Sequence, residues 1–193
     1  MARNSIVLVH GLTDTAAIFD TMTPQLARMG WTVYSLDLIP SNGDQPLEVL
    51  AQQLSNFIKT KLPLDRPFDL VGFSMGGIVS RYYLQRLGGV DRIERFVSIA
   101  SPHNGTLTGF LSWRPGCVQM RPNSPFLNDL NRDVKTLEQV KFTSIWTPMD
   151  TMIIPASSSV LPVGRNVQVQ VPFHAWMVTE RKAIEAVATA LQN

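Results

Sequence analysis

The segment that most constrains this chain is Gly72-Phe73-Ser74-Met75-Gly76, set between a strand-like run, Phe68-Asp69-Leu70-Val71, and a helix-like run, Ile78-Val79-Ser80-Arg81-Tyr82-Tyr83-Leu84. A serine at the bend between a strand and a helix holds a strained backbone, and only tiny side chains fit two residues before and two after it, where the chain faces itself. With 12 glycines and 14 serines in 193 residues, the spacing arises by chance roughly 0.05 times, before the flanking context is required. The turn lifts the Ser74 hydroxyl above the sheet and aims the first N–H groups of the helix, with the positive end of its dipole, at the same point. The plain alternative is a glycine-rich turn with an N-capping serine.

Short apolar runs bounded by turn signals alternate with longer amphipathic stretches over the rest of the chain, as in a parallel sheet covered on both faces. Strands are predicted over residues 5–10, 32–37, 68–73, 94–100, 142–147 and 167–171, and helices over 17–28, 46–61, 75–87, 125–131 and 179–191, with Gly88-Gly89 ending the third helix. The expectation is α/β: a doubly wound, mostly parallel six-stranded sheet with helices on both faces, built as one domain over residues 1–193. Residues 101–125, rich in Pro, Gly and Asn, read as a long loop, and 104–122 within them as a small lid or loop.

Composition narrows the function. Hydrophobic residues make up 45% and charged residues 17%, so an ordinary core forms without metals or disulfides. A net charge of +2 with scattered basic residues speaks against a nucleic-acid partner. The single cysteine, Cys117, excludes an internal disulfide framework and a cysteine-based zinc cluster. Only four uninterrupted apolar residues, 6–9, follow the first few, short of a signal peptide, and no stretch approaches a membrane span. The expected setting is cytoplasmic and the expected state a monomer.

A serine hydroxyl needs a base, and the chain holds three histidines. His174 follows the last predicted strand, at the carboxyl edge where doubly wound sheets place their sites, and comes after the serine in the chain order this motif uses. His10 and His103, in Ser101-Pro102-His103-Asn104-Gly105-Thr106, are the other two. The orienting carboxylate is sought between Ser74 and His174. Asp91, Glu94, Asp129, Asp133, Glu138 and Asp150 qualify by order; Asp150, after the fifth strand, lies at the right edge, and a loop-capping aspartate is its plain reading. The oxyanion of a tetrahedral intermediate needs donors: the backbone N–H of Met75 is one, and that of Leu12, after His10-Gly11, is the candidate second.

With these residues in place, the sequence resembles the α/β-hydrolases, and more narrowly the small bacterial lipases similar to Bacillus lipase A. The resemblance rests on Val7-Leu8-Val9-His10-Gly11-Leu12, the Ser74 turn through Gly77, the Ser101–Thr106 stretch, Asp150 before Ile153-Ile154, and His174. It implies a six-stranded, mostly parallel sheet, carboxylic-ester hydrolysis including lipids, no cofactor, and a small cap or none; no metal site is expected. Two departures stand out: no signal is seen although such enzymes are often secreted, and residues 107–122 add a segment that the smallest of them lack.

Ala16, Ile18, Phe19, Phe110, Leu111, Trp113, Met152, Ile153, Ile154, Val160 and Leu161 are candidates for an apolar acyl groove, with core packing as the plain alternative. The expected partner is a small-molecule or lipid ester, with transient lipid-surface contact. A thioesterase or perhydrolase would share the scaffold, and a non-catalytic binding module is the rival from another class. Epoxide hydrolases and dehalogenases carry an aspartate where Ser74 stands.

Overall fold

The computed structural model describes residues 3–193. Six strands, β1 (Ser5–Val9), β2 (Val33–Leu36), β3 (Phe68–Phe73), β4 (Ile93–Ile99), β5 (Lys141–Trp146) and β6 (Arg165–Gln168), form one sheet in the order β2-β1-β3-β4-β5-β6. Every pairing is parallel. Central strands of such a sheet are covered on both faces, so they run apolar without alternation: Ile6 to Val9 and all of β3 are buried.

Among the described residues there are six α-helices, five of which cover the faces. Those numbered α2 (Leu47–Lys61), α3 (Met75–Arg86) and α5 (Pro125–Arg132) pack with Val7, Val9, Leu70 and Phe96, whereas α1 (Met22–Arg28) and α6 (Arg181–Ala190) pack with Ile6, Leu8, Val71 and Val97. The sixth, α4 (Pro115–Gln119), is a single short turn. In α2 the buried residues Leu47, Leu50, Ala51, Leu54 and Ile58 recur at helical spacing and form its inward stripe. From β1 the chain passes to β2 on one side and then to β3 on the other. The order therefore reverses between β1 and β3, and the carboxyl ends of those neighbours splay apart into a crevice.

The structure departs from the sequence reading in four places. The helix predicted over 17–28 is a 3-10 turn, Ala16–Phe19, followed by α1. Pro24 lacks an N–H and its ring would meet the carbonyl of residue 20, so a helix can only begin just before it. The last strand is Arg165–Gln168, shifted toward the amino terminus; it lies at the sheet edge and carries exposed polar residues, which hid it from an apolar-run search. Likewise the last helix starts late, after a separate 3-10 turn at His174–Val178.

Residues 101–125, expected as a loop, carry a 3-10 helix, Leu107–Leu111, and α4, whose first residue Pro115 has its φ set for a helix. They are tied down: the Gly116 amide donates to Gly43 O at 2.9 Å, the Leu47 amide to Gln119 Oε1 at 2.7 Å, and the Arg121 guanidinium lies over the rings of Phe110 and Trp113. Among the described residues no helix is long and apolar enough to cross a membrane.

Candidate active site

Ser74 stands between β3 and α3 with φ 53° and ψ −123°, a left-handed φ that side-chain-bearing residues rarely adopt. It is held by its amide donating to Ile99 O at 2.8 Å and by the Gly77 amide donating to Ser74 O at 3.0 Å. The neighbouring glycines have separate reasons. A Cβ on Gly72 would lie 2.6 Å from Gly77 Cα, so there the two limbs of the turn do press together. On Gly76 it would strike the Val9 and His10 carbonyls at the end of β1, and on Gly77 the Ser101 hydroxyl. Gly76 is thus required by the neighbouring strand rather than by Gly72, and Gly77, outside the pentapeptide, is required by the loop after β4.

Asp150 and His174 meet behind the serine. His174 Nδ1 lies 2.8 Å from Asp150 Oδ2, while Asp150 Oδ1 accepts the amides of Met152 and Ile153, each at 2.9 Å. The Asp150 side chain is 3% exposed and that of His174 13%. A carboxylate held by two backbone N–H groups is fixed in rotamer, and its free oxygen then fixes the imidazole. Thr147 ties the two loops to each other. Its buried hydroxyl, at the end of β5, donates to Val171 O at 2.7 Å, pinning the chain that leaves β6 three residues before His174. Phe73 packs on the His174 ring with centroids 4.9 Å apart.

Ser74 and His174 line one cleft with Leu12, Thr13, Asp14, Phe73, Pro102, Thr106, Thr108, Met120, Met152, Ile153 and Ala175. No hydrogen bond joins the Ser74 hydroxyl to the imidazole among the described residues; in unliganded sites that contact commonly tightens only when substrate binds. Met75 opens α3, where the first amides have no partner inside the helix. Leu12 lines the cleft from the loop after β1.

The other histidines lie elsewhere. His10 is buried; its Nε2 accepts the Leu38 amide at 2.9 Å, so the proton sits on Nδ1, which donates to Gly11 O at 2.9 Å. It braces the loop that carries Leu12. His103 is fully buried with Nε2 2.8 Å from Ser98 Oγ, and burial beside Arg81 pushes its pKa well below the ordinary imidazole value. Three of the competing carboxylates are paired elsewhere: Asp129 and Asp133 with Arg86, and Glu94 with Arg95 and Lys141 at the opposite end of the strands. Of the groove candidates, Met152 and Ile153 line the cleft; Phe19 and Leu161 are core, and Leu111 and Trp113 are 86% and 84% exposed. Among the described residues no group of three His, Cys, Asp or Glu side chains is placed to hold a metal ion.

Asp14 was not anticipated from the sequence. It lines the cleft from the β1 loop, and burial raises its carboxyl pKa. Its position at the carboxyl edge, four residues past His10, was the available signal.

The profile of the alpha/beta hydrolase fold matches residues 4–169. This chain belongs to the α/β-hydrolase family. Among solved structures, this α/β-hydrolase is similar to mature lipase BlEst2 of Bacillus licheniformis, with a TM-score of 0.79 at 16% identity over 98% of this chain and 92% of that one. It is also similar to Aspergillus fumigatus lipase B, with a TM-score of 0.83 at 17% identity over 99% and 53%. At those identities the likeness is one of fold. A curated relative, the pimeloyl-[acyl-carrier protein] methyl ester esterase of Neisseria meningitidis, is 31% identical over 85 residues, which make up 44% of this α/β-hydrolase and 27% of that enzyme. The match spans under a third of the length of these curated relatives.

Proposed function

We propose that this α/β-hydrolase is a serine carboxylic-ester hydrolase, a lipase or esterase acting on esters with a hydrophobic acyl chain. The observation that carries the reading is the Asp150–His174 pair, 2.8 Å apart, facing the cleft that also holds a serine strained into a left-handed turn. In this reading the Ser74 hydroxyl attacks the ester carbonyl while His174 Nε2 takes its proton. The Leu12 and Met75 amides hold the oxyanion, the alcohol leaves with the proton from Nε2, and water then repeats the sequence on the acyl-enzyme. Asp150 stays ionised, keeps the Nδ1–H tautomer and stabilises the imidazolium.

The apolar part of the lining, Leu12, Phe73, Met120, Met152 and Ile153, supports an apolar acyl group, and the exposed Phe110, Leu111 and Trp113 support transient contact with a lipid surface. The test is labelling by a fluorophosphonate together with a nitrophenyl ester panel of rising acyl length. Labelling lost in Ser74→Ala and turnover favouring butanoyl to octanoyl over acetyl are expected. Labelling retained in Ser74→Ala overturns the reading of the nucleophile, and a preference for acetyl removes the acyl groove.

A further inference from the structure

Asp14 places a carboxylate close to Ser74 in the same cleft. Its Oδ2 lies 2.9 Å from the Cβ position of Gly11, and Ser74 Cβ lies 3.1 Å from the same point. The carboxylate is therefore within about 6 Å of Ser74 Cβ, a range at which a fixed charge acts strongly on a neighbour. The placement is built in. Thr13, the residue before it, has φ 61°, an outlier for a β-branched side chain. Ser41 clamps the loop from both sides, accepting the Thr13 amide on its carbonyl at 2.8 Å and donating its hydroxyl to Asp14 O at 2.8 Å. A strained turn held by two tethers directs one acidic side chain into a cleft whose only other ionisable lining residue is His174.

From this geometry we infer that Asp14 is a specificity-determining residue, a fixed negative charge that makes the cleft selective for uncharged esters and expels the carboxylate product. The inference rests on the ester-hydrolase reading. Hydrolysis of a neutral ester by water yields an alcohol and a carboxylic acid, and the acid ionises at neutral pH while still beside Ser74. A carboxylate that returns to the same place meets Asp14, whereas a neutral amide of the same shape does not. The ionisable side chains that bear on Asp14 are His174, which lines the same cleft and is bonded to Asp150, and His10, which is held neutral by its bonds to Leu38 and Gly11.

The experiment measures inhibition of 4-nitrophenyl butanoate hydrolysis by butanoate and by butanamide, near pH 8, for the unmodified chain, Asp14→Asn and Asp14→Glu. The two Ser41 tethers use backbone atoms of Thr13 and Asp14, so both variants keep them. The readout is the ratio of the two inhibition constants. Asp14→Asn is expected to lower the butanoate-to-butanamide ratio about tenfold, and Asp14→Glu, which keeps the charge, to leave it within about twofold. An unchanged ratio in Asp14→Asn overturns the inference. So does a parallel shift of both constants, which is what mere loosening of the loop produces. If the unmodified chain neither hydrolyses the ester nor takes the fluorophosphonate label, the ester-hydrolase reading fails first and takes this one with it; hydrolysis with no charge discrimination sinks the Asp14 role alone.

Discussion

Ser74, Asp150 and His174, the groups proposed to act together, sit in different environments. The serine is half-buried on a strained turn, the carboxylate is almost wholly buried and bonded to two amides, and the imidazole bonds to that carboxylate. Removing the nucleophile should abolish turnover while leaving the fold intact, because the Ser74 backbone, not its hydroxyl, makes the bonds that hold the turn. A thermal melt close to that of the unmodified chain, with ester hydrolysis near background, checks this for Ser74→Ala. For Asp150→Asn, an amide placed against Nδ1 favours the wrong tautomer, and a loss of about 10⁴-fold in kcat is expected from rates at saturating ester. A loss of tenfold or less would mean that the imidazole finds its orientation without Asp150.

At the scale of elements, the site depends on two junctions. The first is the β3–α3 turn. Gly77→Ala would drive a methyl group into the Ser101 side chain, and Gly76→Ala into the carbonyls ending β1, which are backbone and cannot swing aside. Both should destabilise, by roughly 1–3 kcal/mol or more, with Gly76→Ala the worse, as urea unfolding would report. The second junction is the Thr147 hydroxyl to Val171 O. Thr147→Val keeps the shape and removes the donor, leaving a buried carbonyl without its partner. The expected cost is about 1–3 kcal/mol in stability. A fall in kcat larger than that in Ser98→Ala, which cuts the buried bond to His103 and leaves the Thr147 tether whole, would show that the tether positions His174.

Across the whole molecule, the end of the sheet opposite the cleft carries a charge cluster with its own pH dependence. Asp69, at the start of β3, is 1% exposed; burial is the main cause that raises its pKa to about 6, and bonds from Asn4 and Arg95 oppose it only in part. Its Oδ2 is buried without a partner among the described residues. A group whose pKa is higher folded than unfolded favours the fold while protonated. The contribution is full below pH ~4, and is lost as pH rises through about 6. The unmodified chain should therefore lose roughly 3 kcal/mol relative to Asp69→Asn between those limits and then level off. Urea unfolding of both proteins from mildly acid to mildly alkaline pH tests it, and parallel curves would show that Asp69 ionises without cost.

The order and type of the elements, and the placement of Ser74, were legible in the sequence because they rest on short-range patterns: apolar runs, helical spacing, and a glycine–serine turn whose sterics act within five residues. Patterns failed where polar residues occupy an edge strand, as in β6, and where one proline divides an apolar stretch, as at Pro24. Chain order together with place at the carboxyl edge singled out His174 and Asp150, but their 2.8 Å approach, and the Thr147 bond to Val171 that ties their two loops, are contacts that no local pattern encodes. The same holds for Asp14, which faces the serine only because a left-handed Thr13 clamped by Ser41 turns the chain back on itself. Periodicity along a chain specifies what each segment can become; which side chains end up within reach of one another is decided by packing between segments distant in sequence.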